Sequence, residues 1–337
     1  MKAKKRVDYI DVLRGIGIIY MVLGHINFGA QFDHYIHAFH MPLFFFVTGL
    51  FYRRESLPFW PFLKKMTKQL ILPYLIWGIV ILSFSFLTKM GLRTSMIEAI
   101  GNFFTTNNNG IPIAGALWYL TCLYFSQIIL YFLNRIFKKE WTFGISCMIV
   151  FMLGIVLHHF QITLWWSLVN SFVAIGIIYF GCLMKKIHLL EKFTNTNLIY
   201  TLILFVVSFY SIMHTGYVNM RTGVYPNLFL FFLNLILAIL FYVNVSKILL
   251  KFRFFSFFTQ KIKYIGENSI VSLCFNQIVI LIFNFLLQAS HISTFLLNIV
   301  GNSLLLYNLF LFVLVIVVLY FLTKLFTETK LRILFGK

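Results

Sequence analysis

Long apolar runs restrict the fold of this chain more than any other feature of its sequence. Ten stretches, approximately residues 9–30, 36–52, 69–89, 114–134, 141–158, 164–184, 197–214, 226–246, 268–288 and 303–326, are long enough to cross a bilayer. A hydrocarbon core about 30 Å thick takes about 20 helical residues, and without water inside it the backbone must satisfy its own hydrogen bonds. The expected fold is all-α: a polytopic membrane helical bundle of about ten transmembrane helices, forming a single domain over 1–337. Only 11% of the residues are charged, against about 25% in soluble domains. The 42 Phe residues suit lipid-facing helices. The 36–52 run is near the lower length limit. The 268–288 run carries Asn276 and Gln277, so it is expected to face protein or water rather than lipid.

The charge pattern sets the direction of the spans. Of the 28 Lys and Arg residues, 24 fall at the two ends and in every second loop, only Lys89, Arg93 and Arg221 fall in the alternate loops, and Arg14 lies inside the first run. Positive charge marks the cytoplasmic side, so both termini are expected there. The net charge of +19 would also suit nucleic acid, but the cations sit in clusters between apolar runs rather than on one stripe. Membrane lipid, and no nucleic acid, is the expected partner. The basic start Lys2 to Arg6 resembles a signal peptide. Asp11 and Arg14 interrupt the apolar stretch after it and no small-x-small cleavage site appears, so an uncleaved first helix is expected. Cys122, Cys147, Cys182 and Cys274 lie in apolar runs without CxxC spacing and read as small buried hydrophobes. The longest outer loop, 90–113, holds the turn signal Asn107, Asn108, Asn109, Gly110, with Pro112 after it. The basic segments 53–68 and 247–267 each suit a helix lying in the interface.

Arg14 and His25 stand out within the first run. Eleven helical steps of about 100° bring them to within about 20° of one face, roughly 16 Å apart along the axis. An arginine at the centre of a span costs about 2.5–3.5 kcal/mol and usually meets a partner or a wet cavity. With the N-terminus inside, Arg14 lies toward the cytoplasm, where a cation suits a phosphate, and His25 lies toward the outside, where imidazole suits proton abstraction from a hydroxyl. The plainer reading has Arg14 snorkelling to the interface and His25 hydrogen-bonding between helices. Asp11, one turn before Arg14, is either its ion-pair partner or an acid favoured by the helix dipole.

The stretch Tyr9-Ile-Asp-Val-Leu-Arg14-Gly-Ile-Gly-Ile-Ile-Tyr-Met-Val-Leu-Gly-His25 resembles the opening motif of the acyltransferase-3 family of integral membrane acyltransferases, marked by an Arg and a His with ten residues between. Phe39-His40-Met-Pro-Leu-Phe-Phe-Phe-Val-Thr-Gly49 is similar to its second-helix signature. Leu72-Pro73-Tyr74 after a basic cluster is similar to the start of its third helix, and Gly266-Glu-Asn-Ser269 to its late Gly-Lys-Asn-Ser element. The resemblance implies acyl transfer, most often of acetyl, from cytoplasmic acyl-CoA to a hydroxyl of a surface or exported glycan. His25 would be the base and Arg14 would hold the donor or shape its path. The sequence departs from the family at two places. Asn276 stands where a His often follows the late Ser, and Lys64, Lys65 and Lys68 replace paired arginines, leaving point charges without the bidentate fork.

Other residues take roles within this reading. His40, inside a matched motif, suits acceptor binding or proton handling, whereas His34 and His37 read as interfacial residues. No metal is expected, because the histidine spacing lacks the i, i+4 pattern and thiolate or carboxylate support beyond Asp33. Trp118 and Tyr119 fit an aromatic belt, while an indole face also stacks on sugars and Leu117-Trp118-Tyr119-Leu120 resembles a family element. Ser269, Asn276 and Gln277 are candidates to steady an oxyanion. The expected assignment is a membrane O-acyltransferase of the bacterial cytoplasmic membrane. His25 and Arg14 are its catalytic pair; His40, Trp118, Ser269 and Asn276 bind substrate, and Arg14, Lys65 and Lys68 hold the donor. Acyl-CoA is a substrate and no resident cofactor is expected. The alternative is a transporter or flippase of a glycan or lipid precursor, with Arg14 and His25 as substrate or proton sites. Against it, no paired repeat appears and no Gly/Pro-broken helices fall at matching positions.

Overall fold

The computed structural model describes residues 7–53, 57–91, 94–105, 115–290 and 304–336. The cations Lys2, Lys4, Lys5, Arg6, Arg54, Arg93 and Lys337, the turn Asn107 to Gly110 and Pro112 lie outside them. The described residues are helical apart from loops and one isolated antiparallel bridge between Asn219 and Val224.

Helix α1 (Asp8–Ile26) begins with Asp8 and Asp11 in its first turn, where the N-terminal dipole favours acids. It stops short of the expected residue 30. Asn27 takes a left-handed conformation (φ 69°) and Gly29 follows at φ 108°; Asn and Gly are the residues that adopt such backbone at least cost. The chain turns into the short α2 (Ala30–His37) and then α3 (His40–Phe51). At 12 residues, α3 is only about 18 Å long, too short for a core of about 30 Å. It is buried along nearly its whole length, so neighbouring helices rather than lipid enclose it.

Helix α4 (Phe59–Met66) continues through a π-helical turn, Thr67–Ile71, into α5 (Leu72–Thr88), giving 30 helical residues. The wide turn precedes Pro73, whose ring and missing N–H disrupt a regular α-helical ladder. Next come α6 (Met96–Phe104), α7 (Trp118–Ile136), α8 (Glu140–His159), α9 (Leu168–Lys186), α10 (Leu189–Lys192), α11 (Leu198–His214) and α12 (Leu228–Lys251). The last are α13 (Ser256–Glu267), α14 (Ser269–Ala289) and α15 (Leu304–Glu328). Among the described residues, seven helical segments are long and apolar enough to cross a membrane: α1, α4 through α5, α8, α9, α12, α14 and α15. The other three expected runs also hold helices. Of these, α3 is short, α11 has 17 residues, and α7 has 19 but carries Thr121, Ser126, Gln127, Asn134 and Arg135.

Helix α1 is the axis of the bundle. It packs against α3, α12, α13, α14 and α15, and 61% of its span is buried, against 28% for α15. Two close crossings without side chains between the backbones set this geometry. A Cβ on Gly266 of α13 would strike the Asp11 carbonyl of α1, and one on Gly15 would strike the Ile262 carbonyl. Gly49 of α3 and Gly181 of α9 meet in the same way, each against a carbonyl of the other helix. Small residues at such seams let helix backbones approach in a medium that offers little hydrophobic drive. Lys263 of α13 donates to Asp8 of α1 at 2.7 Å, and this carboxylate holds the ammonium above its usual range. The 247–267 segment is therefore not solely a surface helix. One side of α13 builds the α1 seam, while Phe257 and Phe258 remain exposed. In the other basic segment, α4 buries Phe62 and Met66 against Tyr131 and leaves Trp60 exposed.

Candidate active site

The two ends of α1 face different surroundings. Toward its N-terminal end, Arg14 reaches a cavity of about 240 Å³. Phe44 and Thr48 of α3, Tyr119 of α7, Glu267 to Val271 at the α13–α14 junction, and Phe326, Thr327 and Phe335 line it with Arg14. Asp11 pairs with Arg14 at 3.3 Å, and the guanidinium lies 5.4 Å from the centre of the Phe51 ring. The ion pair is thus formed, and it lowers the cost of keeping a cation inside the bundle. The Arg14 side chain keeps 30% of its exposure while Asp11 keeps 9%, so the cation is the partner presented to the cavity. Glu267 gives the cavity a carboxylate as well as this cation.

Toward the C-terminal end of α1, His25 is half-buried and meets Gln277 of α14, whose amide nitrogen lies 3.0 Å from Nδ1 and 3.4 Å from Nε2. The other end of that amide accepts the Gly115 N–H at 2.5 Å. Arg221 joins this group: a Cβ built on Gly115 would sit 2.9 Å from Gln277 Nε2 and 3.1 Å from Arg221 Nη1. The Arg221 backbone is held by the loop around it. Fully buried Asn170 donates to the Met220 and Arg221 carbonyls at 2.8 Å, and Asn219 Oδ1 accepts from the Arg221 N–H.

His40 is buried and its Nδ1 engages the Ile36 carbonyl at 2.8 Å. The rings of His37 and His40 meet edge-on at 5.1 Å, and His25, His37 and His40 lie near enough to interact electrostatically. His37 pairs with Asp33 at 3.0 Å, and Tyr217 donates to Asp33 Oδ2 at 3.0 Å while its ring contacts His34 and His37. Burial, with the Asp33 carboxylate beside it, pushes the Tyr217 hydroxyl up to about 12, so it remains a donor at neutral pH. His34 and His37 therefore belong to an ordered His–Asp–Tyr cluster next to His25. Among the described residues no group of His, Cys, Asp and Glu is arranged to hold a metal.

The remaining candidates divide between these two ends. Ser269 lines the Arg14 cavity; eight residues before Gln277 on α14, it is about 12 Å from the His25 end. Asn276 is 1% exposed. Its Nδ2 donates to the Ser272 and Leu273 carbonyls and lies 4.0 Å from Met21 Sδ, one turn before His25. Its Oδ1 is buried with no hydrogen-bond partner, so what Asn276 offers is an acceptor, not an oxyanion donor. Trp118 is 3% exposed and packs toward Phe45, while its neighbour Tyr119 faces the cavity. Lys65 and Lys68 are exposed and do not line the cavity. The Lys68 carbonyl meets Gly336, next to the cavity residue Phe335.

Sequence reasoning did not single out Thr48, Glu267, Asp33 with Tyr217, or Arg221 as site residues, and it weighed Gln277 only as a cross-helix hydrogen-bonding group or oxyanion donor. One signal was present for Arg221, which is one of the few cations that break the alternation of charge. Among curated proteins and among solved structures, none matches this chain. A family model described as an acyltransferase domain matches residues 7–324, nearly the whole chain, and takes in both ends of α1, Gln277 and the cavity residues up to Val271. The chain belongs to the acyltransferase-3 family and is a multi-pass membrane acyltransferase.

Proposed function

We propose that this protein transfers an acyl group, acetyl in the simplest case, from cytoplasmic acyl-CoA to a hydroxyl of a surface or exported glycan, in a bacterial cytoplasmic membrane. The 24-to-3 division of cations supports ten crossings with both termini inside, the short α3 making its crossing enclosed by neighbouring helices rather than lipid. The observation that carries this reading is that one buried helix presents Arg14 to a cavity at one end and His25 to a polar cluster at the other. Their separation of about 16 Å along α1 is comparable with an extended thioester arm. The cavity is smaller than the roughly 300–1,000 Å³ of pockets that enclose a whole ligand. It therefore suits the phosphate end of the arm, with the nucleotide outside toward Lys65 and Lys68. Arg14 meets the phosphate, Ser269 lies alongside, and the orphaned Asn276 Oδ1 is an acceptor for an amide N–H of the arm.

His25 then removes the acceptor hydroxyl proton as that oxygen attacks the thioester carbon. The C–S bond breaks, the new C–O bond remains in the ester, and the proton passes on to the departing thiolate. His40, Tyr217 and Arg221 surround the place where the acceptor sits. His25→Ala is expected to lower acylation of the surface glycan by about 10²–10⁴-fold without loss of the carrier glycan from the surface. Arg14→Ala is expected to weaken acetyl-CoA binding to the purified protein. Mass spectrometry of surface glycans reads the first and equilibrium binding the second. Persistent acylation in His25→Ala cells with failed glycan export would instead identify a transporter.

A further inference from the structure

The Gln277 side chain bridges two fixed points, and its two ends are not interchangeable. Its Oε1 accepts from the Gly115 backbone N–H, so the end facing His25 is the NH₂, which can only donate. Nδ1 is the nearer of the two ring nitrogens to this donor, 3.0 Å against 3.4 Å, which assigns the accepting lone pair to Nδ1 and the proton of the neutral ring to Nε2. The lone pair that a general base must offer is therefore already engaged. The amide nitrogen is also within 3.4 Å of Nε2, so it lies across the ring edge between both nitrogens. His25 is otherwise only partly exposed at this end of α1.

We propose that Gln277 is a positioning residue that caps His25 until an acceptor hydroxyl displaces it, and so limits loss of the acyl group to water. The proposal rests on the reading of His25 as the base. An incoming hydroxyl is a donor of the same kind as the amide N–H and takes its place at Nδ1. A glycan brings further contacts that favour the exchange, whereas a water molecule brings none, and binding energy from parts of the substrate remote from the reacting atoms is what drives such a step. Without the cap, water reaches Nδ1. Its oxygen attacks the thioester carbon, its proton goes to His25, the C–S bond breaks, and the products are the free acid and the thiol.

The test uses the purified full-length protein in lipid nanodiscs with acetyl-CoA alone, measuring release of free thiol. Gln277→Leu removes the donor at similar volume, and Gln277→Met does so with an unbranched chain. Each is checked for a wild-type elution profile, and either one suffices. Acceptor-independent thiol release is expected to rise about tenfold, roughly what one net hydrogen bond is worth. Adding His25→Ala to the Gln277 variant is expected to abolish the rise. A merely structural cross-helix bond, or an amide needed to orient His25, predicts release equal to or below wild type, and that result overturns the proposal. A rise that survives His25→Ala overturns it as well. Full glycan acylation in the single His25→Ala variant would instead overturn the reading of the base, so the two failures are distinguishable.

Discussion

At the residue scale, Arg14 and Asp11 show how an intramembrane cation is tolerated. Their pair is asymmetric, with the acid enclosed and the guanidinium directed to the cavity. Breaking a fully buried pair costs about 3–5 kcal/mol, but Arg14 is almost a third exposed and solvent screens part of that interaction. Asp11→Ala is therefore expected to destabilise by about 1–2 kcal/mol, seen as a lowered unfolding midpoint in detergent. The same substitution is expected to weaken acetyl-CoA binding, because the guanidinium loses the carboxylate that orients it. An unchanged binding constant would show that Asp11 serves the helix start alone. Asn276 illustrates a different point. Its position at the family's usual histidine is visible in the sequence, but which of its two polar ends is engaged depends on the turn of its own helix and on Met21.

At the scale of elements, the α1–α13 crossing carries the most constraint. Gly15 and Gly266 each face a carbonyl of the other helix with no room for a side chain. Gly266→Val is expected to cost about 1–3 kcal/mol or more through overpacking and to disturb the cavity that its neighbours line. Gly101 in α6 has nothing within 4 Å of its Cβ position. Gly101→Ala is expected to be neutral or stabilising by up to about 1 kcal/mol. Thermal unfolding of both variants in one detergent checks the contrast. Much at this scale was legible in the sequence. Apolar runs marked where helices fall, and the spacing of Arg14 and His25 anticipated a single helix with both on one face. The short, enclosed α3 was less legible, because an apolar run reads the same whether lipid or protein surrounds it. The Gln277–His25 bond links residues 252 positions apart, and no local periodicity encodes such a pairing. The inward turn of Trp118, with Tyr119 on the cavity instead, depends on the rotation of α7 against α3, which an aromatic pair in sequence does not specify.

At the scale of the whole molecule, the 24-to-3 division of cations predicts orientation directly. Single cysteines placed in a cysteine-free variant at Lys192 and Lys330 are expected to react with an impermeant maleimide only after the cells are opened. One at Thr222, beside Arg221, is expected to react in intact cells. Labelling of Thr222 and Lys192 from the same side would reject the ten-span arrangement.

The central place of α1 also governs when its surroundings are completed. It is synthesised well before its partners α12, α13, α14 and α15, which begin at residues 228 to 304. At about 5–20 residues per second, roughly 10–50 s separate its synthesis from that of α13 and Gln277. During that interval the helix bearing the arginine and the histidine has neither its glycine seam nor its cavity. Assembly of the Arg14 cavity and of the His25–Gln277 pair is thus a late event of biogenesis, and a nascent or truncated chain that ends before α13 has neither.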